Sequence, residues 1–186
     1  MGQRHAFNLE TLRIRDANEN DIEAISSIYA RHVRTGLASF EEVPPSPGEM
    51  ASRFQSIRAH AFPYFVAEAE GAVLGYAYAS HYRTRSAYRY TVEDSVYLHP
   101  DAIGFGIGGK LLCALIEACE KQGYRRMIAV IGDSANHASI GLHRKAGFSE
   151  AGRLPAVGFK FGRWVDSILM QRPLGEGSAS LPETQG

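Results

Sequence analysis

Residues 99–112 read HPDAIGFGIGGKLL. A strand-like stretch over 90–99 stops at Pro100. Glycines follow at 104, 106, 108 and 109, and an apolar helical pattern then runs to Gly123. A strand that ends in a glycine loop and restarts as a helix aims backbone N–H groups, and the positive end of a helix dipole, at one point in space. That geometry binds anions. Four glycines within six positions are more than a tight turn needs.

Three phosphate-binding readings compete. Gly104, Gly106 and Gly109 satisfy G-x-G-x-x-G in form. In a dinucleotide fold, however, that motif abuts its strand, and an acidic residue closes a second strand about twenty residues on. Here residues 100–103 intervene, and the nearest acidic candidate, Asp133, comes later. Gly104, Gly109 and Lys110 fit part of a P-loop, but Leu111 stands where a magnesium-binding hydroxyl is required. The third reading is a cradle for the pyrophosphate of coenzyme A, held mainly by the helix N-terminus.

The flanking sequence separates them. Leu12 and Ile14 alternate with polar residues as a short strand, and Ile22, Ile25, Ile28, Tyr29 and His32 repeat at helical spacing behind Asn18 or Asp21 as cap, closed by Gly36. SFEEVPPSPG, 39–48, is a loop with three prolines whose apolar Phe40 and Val43 suggest a pocket wall. Residues 49–59 form a second helix. From 64 the period changes to two, giving a hairpin over 64–69 and 72–81 with Gly75 as a candidate bulge. After the glycine loop and its helix come a buried strand over 127–131, a helix over 134–145 and a strand pair over 148–157 and 159–170, turning near Gly158. The glycine loop therefore follows an antiparallel hairpin and a third strand, and does not open a series of βαβ units. The expected class is α/β (α+β): a mixed, mostly antiparallel twisted sheet of about seven strands, with about four helices on its two faces.

The 186 residues suit one domain. We expect an N-terminal extension over 1–10, a single domain over 11–173 and a disordered tail, rich in Gly, Ser and Glu, over 174–186. Twenty basic and twenty acidic side chains cancel, which leaves no basic excess for nucleic acid. No apolar run reaches membrane-spanning length and the first ten residues lack a signal-peptide core, so a cytoplasmic protein is expected, with no membrane partner. Gly2 is not expected to be myristoylated, because Ala6 stands where Ser or Thr is wanted. Cys113 and Cys119 lie six apart in one helical pattern, about 600° of rotation, and do not pair. His137 and His143, also six apart, share no helix face, and no zinc spacing occurs, so no metal is expected.

The order of elements resembles the GNAT acetyltransferase superfamily. Its pyrophosphate motif, Q/R-x-x-G-x-G/A, falls on Ile103, Gly106 and Gly108; the glycines match and Ile103 departs. YTVEDSVYLHP (90–100), MIAVIGDSANHASIGLHRKAGF (127–148) and AVGFKFGRWVDSILMQ (156–171) are similar to the phosphinothricin and methionine sulfoximine N-acetyltransferases, over about residues 12–173. The resemblance implies transfer of acetyl from acetyl-CoA to the α-amine of a small amino-acid analogue, in a homodimer.

Such a transfer needs a neutral amine, and an α-amino group has a pKa of about 7.7–8.0, so a base is useful. Glu93 lies mid-strand, with Thr91 and Ser95 on its face and Val92, Asp94 and Val96 on the other. The resemblance makes Glu93 the base and sets His143 to move a proton. It assigns cofactor contacts to the strand Val96, Tyr97 and Leu98, to the loop Ile103, Gly104, Phe105, Gly106, Ile107 and Gly108, and to Asn136. Arg83 and Arg85, two apart just past a strand, can converge on one carboxylate if the chain stays extended. Phe40 and Tyr88 match side-chain pocket positions; Trp164, in FGRWVD, reads as a core or dimer residue and not as a ligand contact. Two rivals stand beside this reading. The first is a GNAT enzyme for a peptide, ribosomal or aminoglycoside amine, which an acidic cleft would favour and Arg83 and Arg85 oppose. The second is a non-catalytic coenzyme A-binding module, which only Ile103 favours.

Overall fold

The computed structural model describes residues 7–182. Seven strands form one sheet: β1 (Arg13–Asp16), β2 (Tyr64–Ala69), β3 (Ala72–His81), β4 (Thr91–Leu98), β5 (Arg126–Gly132), β6 (Ser149–Lys160) and β7 (Arg163–Pro173), in the order β1-β2-β3-β4-β5-β7-β6. Every neighbouring pair is antiparallel except β4–β5. Four α-helices complete the fold: α1 (Ile22–Thr35), α2 (Pro47–Ala59), α3 (Ile107–Lys121) and α4 (His137–Lys145).

Alternation along the strands divides the core in two. Tyr64, Val66 and Tyr76 pack under Ile25, Ile28, Tyr29 and Val33 of α1 and under Met50 and Phe54 of α2. On the opposite face, Ala77, Ala79, Val92, Met127 and Ala129 pack under Leu111, Leu112, Leu115 and Ile116 of α3.

Several boundaries differ from expectation. Asn18 caps a short 3-10 turn, Glu19–Asp21, that runs into α1, while Asp21 turns to Arg15. Ser46 caps α2 and Pro47 is its first residue, which moves the start back two residues. The β6–β7 turn falls at Phe161 and Gly162, not at Gly158, which lies inside β6 at a register shift. The irregularity near Gly75 leaves Leu74 as the extra residue of β3. Gly75 itself is needed because a Cβ there would stand 2.5 Å from the Leu98 side chain and 2.8 Å from the Tyr97 carbonyl. Leu174 is fully buried and its N–H bonds the Arg125 carbonyl at 3.0 Å, so the core extends past the expected boundary at 173. Residues 1–6 of the expected extension, with Gly2 and Ala6, and residues 183–186 of the expected tail lie outside the described residues.

Candidate active site

The parallel pair β4–β5 is registered only from Thr91↔Arg126 to Glu93↔Ile128, whereas β3 follows β4 as far as Leu98 and β7 follows β5 as far as Gly132. The two central strands therefore part just after Glu93. Residues 94–98 of β4 keep one edge without a strand partner, and a gap opens through the sheet. Two contiguous cavities occupy it. They share Ala38, Val96, Tyr97, Gly132, Asn136 and Ser139 in their walls.

The larger, about 620 Å³, runs from the parted strand to the glycine loop. Val96, Tyr97, Leu98, Ile103, Gly104, Gly106, Ile107, Gly108 and Asn136, all of them residues that the resemblance assigns to cofactor contact, line it. Phe105 does not; it is exposed beside the loop. Gly104 and Gly106 have φ of +93° and +75°, a conformation that favours glycine. Gly106 is the N-cap of α3 and provides no side-chain cap, so the first N–H groups of that helix stay available to an anion. A Cβ on Gly108 would meet Leu98 and Leu142 at 3.4 Å, so the helix start is already seated against β4 and α4. The shape and donors fit a phosphorylated, elongated ligand. His32 of α1, which sequence reasoning missed, joins this wall and bonds the Leu98 carbonyl through Nε2 at 2.9 Å. Asn136 caps α4, its Oδ1 accepting from Ser139 N at 3.2 Å, and lines both cavities.

The second cavity, about 450 Å³, is lined by Tyr29, Phe40, Glu41, Tyr78, Glu93, Asp94 and His143, among others. Burial, and then the charge of Asp94, push the Glu93 carboxyl up to about 7, while Arg83 pulls it down. His143 is buried between β4 and α4, with Nε2 2.9 Å from Asp94 Oδ2 and Nδ1 2.8 Å from the Ser139 carbonyl. Burial lowers its pKa, but the hydrogen bond and charge of Asp94, with the Ser139 contact, outweigh that and raise it. Asp94 was expected only on the strand face opposite Glu93, where it meets His143 of α4. It reaches the same cavity as Glu93 because the sheet is open there.

Phe40 forms a wall on a tied-down loop. Tyr29 donates to Glu41 at 3.1 Å and shares a hydrogen bond with Ser39 Oγ at 2.9 Å; Arg53 donates to Glu41 at 2.7 Å. Lys160, buried in β6, donates to the Ser39 carbonyl at 2.6 Å. A lone lysine in a strand gave no sequence signal for this tether. Arg83, Arg85 and Tyr88 are exposed and line neither cavity. The chain leaves the extended conformation after His81 and coils into a 3-10 turn at Ser86–Tyr88, so the two-residue alternation that would align the arginines does not apply. Arg83 lies over the Tyr82 ring, and its charge is felt at Glu93. Trp164 is 68% exposed, which excludes the core position.

A sheet parted beside a glycine loop at a helix N-terminus, with contiguous cavities reaching from that loop to a half-buried carboxylate, suits a coenzyme A-dependent acyltransferase. The chain belongs to the acetyltransferase (GNAT) family, whose sequence pattern matches residues 28–148. It is 58% identical over 170 residues to a phosphinothricin N-acetyltransferase of Alcaligenes faecalis, covering 91% of this chain and 86% of that one. It is 43% identical to an L-methionine sulfoximine/L-methionine sulfone acetyltransferase of Pseudomonas aeruginosa, covering 85% and 92%. A crystal structure of a phosphinothricin acetyltransferase from Sinorhizobium meliloti in complex with acetyl-CoA superposes with a TM-score of 0.91 at 52% identity, covering 94% of this chain and 95% of that one.

Proposed function

We propose that the protein transfers the acetyl group of acetyl-CoA to the α-amine of a small amino-acid analogue of the phosphinothricin, methionine sulfoximine or methionine sulfone type. The observation that carries this reading is the place of Glu93, a carboxyl held near neutrality in the wall of the second cavity, at the point where β4 and β5 part. The larger cavity would hold acetyl-CoA, with the pyrophosphate at Gly104, Gly106 and the start of α3, and the pantetheine arm along Val96, Tyr97 and Leu98 beside Asn136. Acetyl-CoA supplies the activated thioester. Glu93 accepts the ammonium proton and frees the lone pair of the amine. His143 carries a proton at the same cavity, and the N–H groups of the unpaired strand edge offer donors for charge developing on the acetyl oxygen.

Transfer is direct. Burial pushes the Cys119 thiol up to about 12, and Cys113 is exposed on α3; neither lines a cavity. Phe40 shapes the acceptor pocket. The basic segment with Arg83 and Arg85 approaches the α-carboxylate from outside, and Tyr88 lies on the same segment. A homodimer belongs to this reading, supported by Val157, Phe159, Phe161 and Trp164, which leave an exposed apolar face around the β6–β7 turn. So does a cytoplasmic setting: both cysteines are free, and no helix among the described residues is long and apolar enough to cross a membrane.

Turnover with acetyl-CoA on a panel of phosphinothricin, methionine sulfoximine, methionine sulfone and unrelated amines, read by thiol release, tests the reading. The expected result is release with the amino-acid analogues. Acetyl-CoA binding without turnover on any amine would leave a binding module instead, and preference for peptide or aminoglycoside amines would give the activity to the rival substrates.

A further inference from the structure

The nearest partner of each His143 ring nitrogen is a group that only accepts hydrogen bonds: the Ser139 carbonyl, 2.8 Å from Nδ1, and the Asp94 carboxylate, 2.9 Å from Nε2, with the Ser139 hydroxyl farther from Nδ1 at 3.4 Å. A neutral imidazole has one N–H and can satisfy one of them. Only the imidazolium satisfies both. The pair is shut away from water, with 5% of the His143 side chain and 1% of the Asp94 side chain exposed. Asp94 Oδ1, buried as well, has no hydrogen-bond partner among the described residues. A buried ion pair with an unsatisfied oxygen is a poor structural device, because apolar side chains fill such space at less cost. Its location explains it better. Asp94 follows Glu93 in the chain, and both reach the second cavity beside His143.

We propose that Asp94 is a positioning residue for acetyl transfer: it fixes the His143 ring, as a cation, in the wall of the acceptor cavity and sets a second carboxylate beside Glu93. The proposal rests on Glu93 being the base. Two neighbouring groups are thereby driven in useful directions. Glu93 is kept basic enough to take an ammonium proton, and His143 is held as a fixed positive charge in the wall of the same cavity. The protons balance: the ammonium gives one proton to Glu93 before attack, and the second, released from nitrogen as the N–C bond forms, passes to the coenzyme A sulfur as the C–S bond breaks. Of the other titratable groups nearby, Cys119 on α3 interacts with Asp94, Tyr78 on β3 and Arg83 beyond β3 interact with Glu93, and Glu41 on the Phe40 loop lines the same cavity.

The experiment is an NMR titration of the His143 ring, assigned with His143→Gln, in the unsubstituted protein and in Asp94→Asn, combined with kcat/KM against pH for both. The unsubstituted protein should titrate above the ordinary histidine value of about 6.5. In Asp94→Asn, the His143 pKa should fall by about 1–3 units, the effect of losing an adjacent opposite charge, and the acid limb of kcat/KM should move to lower pH. Acetyl-CoA affinity should not change. His143 titrating at or below its ordinary value in the unsubstituted protein overturns the proposal, and that arm does not depend on any variant folding. So do an unmoved His143 titration and an unmoved profile in a folded Asp94→Asn. Glu93→Gln is run in parallel. If it keeps full turnover, the base assignment falls, and the His143 titration still decides the grip of Asp94.

Discussion

The ring of Phe40 lies where a side chain on Gly158 would be: a Cβ there would stand 2.4 Å from Cε2 and 2.7 Å from Cδ2 of that ring. Gly158 sits at the register shift of β6 and Phe40 on the loop that walls the acceptor cavity, so a strand far along the chain sets how deep the pocket is. Gly158→Ala should push the partly exposed ring aside without unfolding the protein. KM for the amino-acid analogue should change by about tenfold or more, the worth of one methylene in a substrate pocket, while acetyl-CoA affinity holds. An unchanged KM would mean that Phe40 does not touch the acceptor.

Glu93 gives a pH prediction. Its carboxyl is raised to about 7 and must be ionised to act, so kcat/KM should rise through pH about 7 and fall below it. Glu93→Gln should abolish that limb and lower turnover by about 10²–10⁴ while keeping acetyl-CoA binding. A loss of less than about threefold at pH 7 would place the base elsewhere.

The same shift bears on stability. A carboxyl whose pKa is higher in the folded than in the unfolded chain favours folding below its ordinary value, 4.5, and that contribution is lost as pH rises through about 7. At pH 8 the native protein therefore carries a strained charge beside Asp94, and Glu93→Gln relieves it. The variant should melt higher than the unsubstituted protein at pH 8, by a few degrees at about 2–4 °C per kcal/mol. The gap should close towards pH 5. A gap independent of pH would contradict the raised carboxyl.

Much of this was legible in the sequence, and the exceptions share a cause. The strands, the helices and the glycine loop follow from short-range periodicity and turn residues, and nine of the ten residues that the resemblance assigns to cofactor contact, from Val96 to Asn136, line one cavity. Glu93 and His143 likewise reach one cavity. Alternation sets Asp94 on the strand face opposite Glu93 and gives no sign that both line one cavity, because the parting of β4 from β5 is a long-range event that no local pattern encodes. Arg83 and Arg85 were aligned on an extended backbone that in fact coils. Lys160 and Gly158 act on a loop more than a hundred residues earlier in the chain, where periodicity carries no information.

The arginine segment is tested by the difference between its members. Arg83 is the one whose charge reaches Glu93; Arg85 caps the following turn. Arg83→Ala should weaken an α-amino acid substrate by about 1.5–3 kcal/mol, the worth of a hydrogen bond to a charged group, and should spare the decarboxylated amine. Arg85→Ala should do less. Equal losses on both amines would remove carboxylate recognition from this segment.

Ile103 yields the last prediction. It follows a 3-10 turn at Pro100–Ala102, is 56% exposed and lines the larger cavity beside Gly104 and Gly106. An isoleucine offers no hydrogen-bond donor, so the pyrophosphate would be held by backbone N–H groups and the α3 dipole, the latter worth about 0.3–1 kcal/mol near a surface. An arginine at this place would add a charge-assisted contact of about 1.5–3 kcal/mol, reduced by solvent because the site is open. Ile103→Arg should tighten acetyl-CoA binding by about threefold to a hundredfold and leave saturated kcat nearly unchanged, because binding that is equal in the ground and transition states does not speed the chemical step. The gain should shrink as salt rises, since part of it is Coulombic. It should vanish with a pantetheine fragment that lacks the pyrophosphate. Calorimetric titration of both proteins with both ligands at two salt concentrations measures each of these effects. Unchanged affinity for whole acetyl-CoA would mean that residue 103 does not face the phosphates, and the assignment of the glycine loop would have to be shifted along the chain.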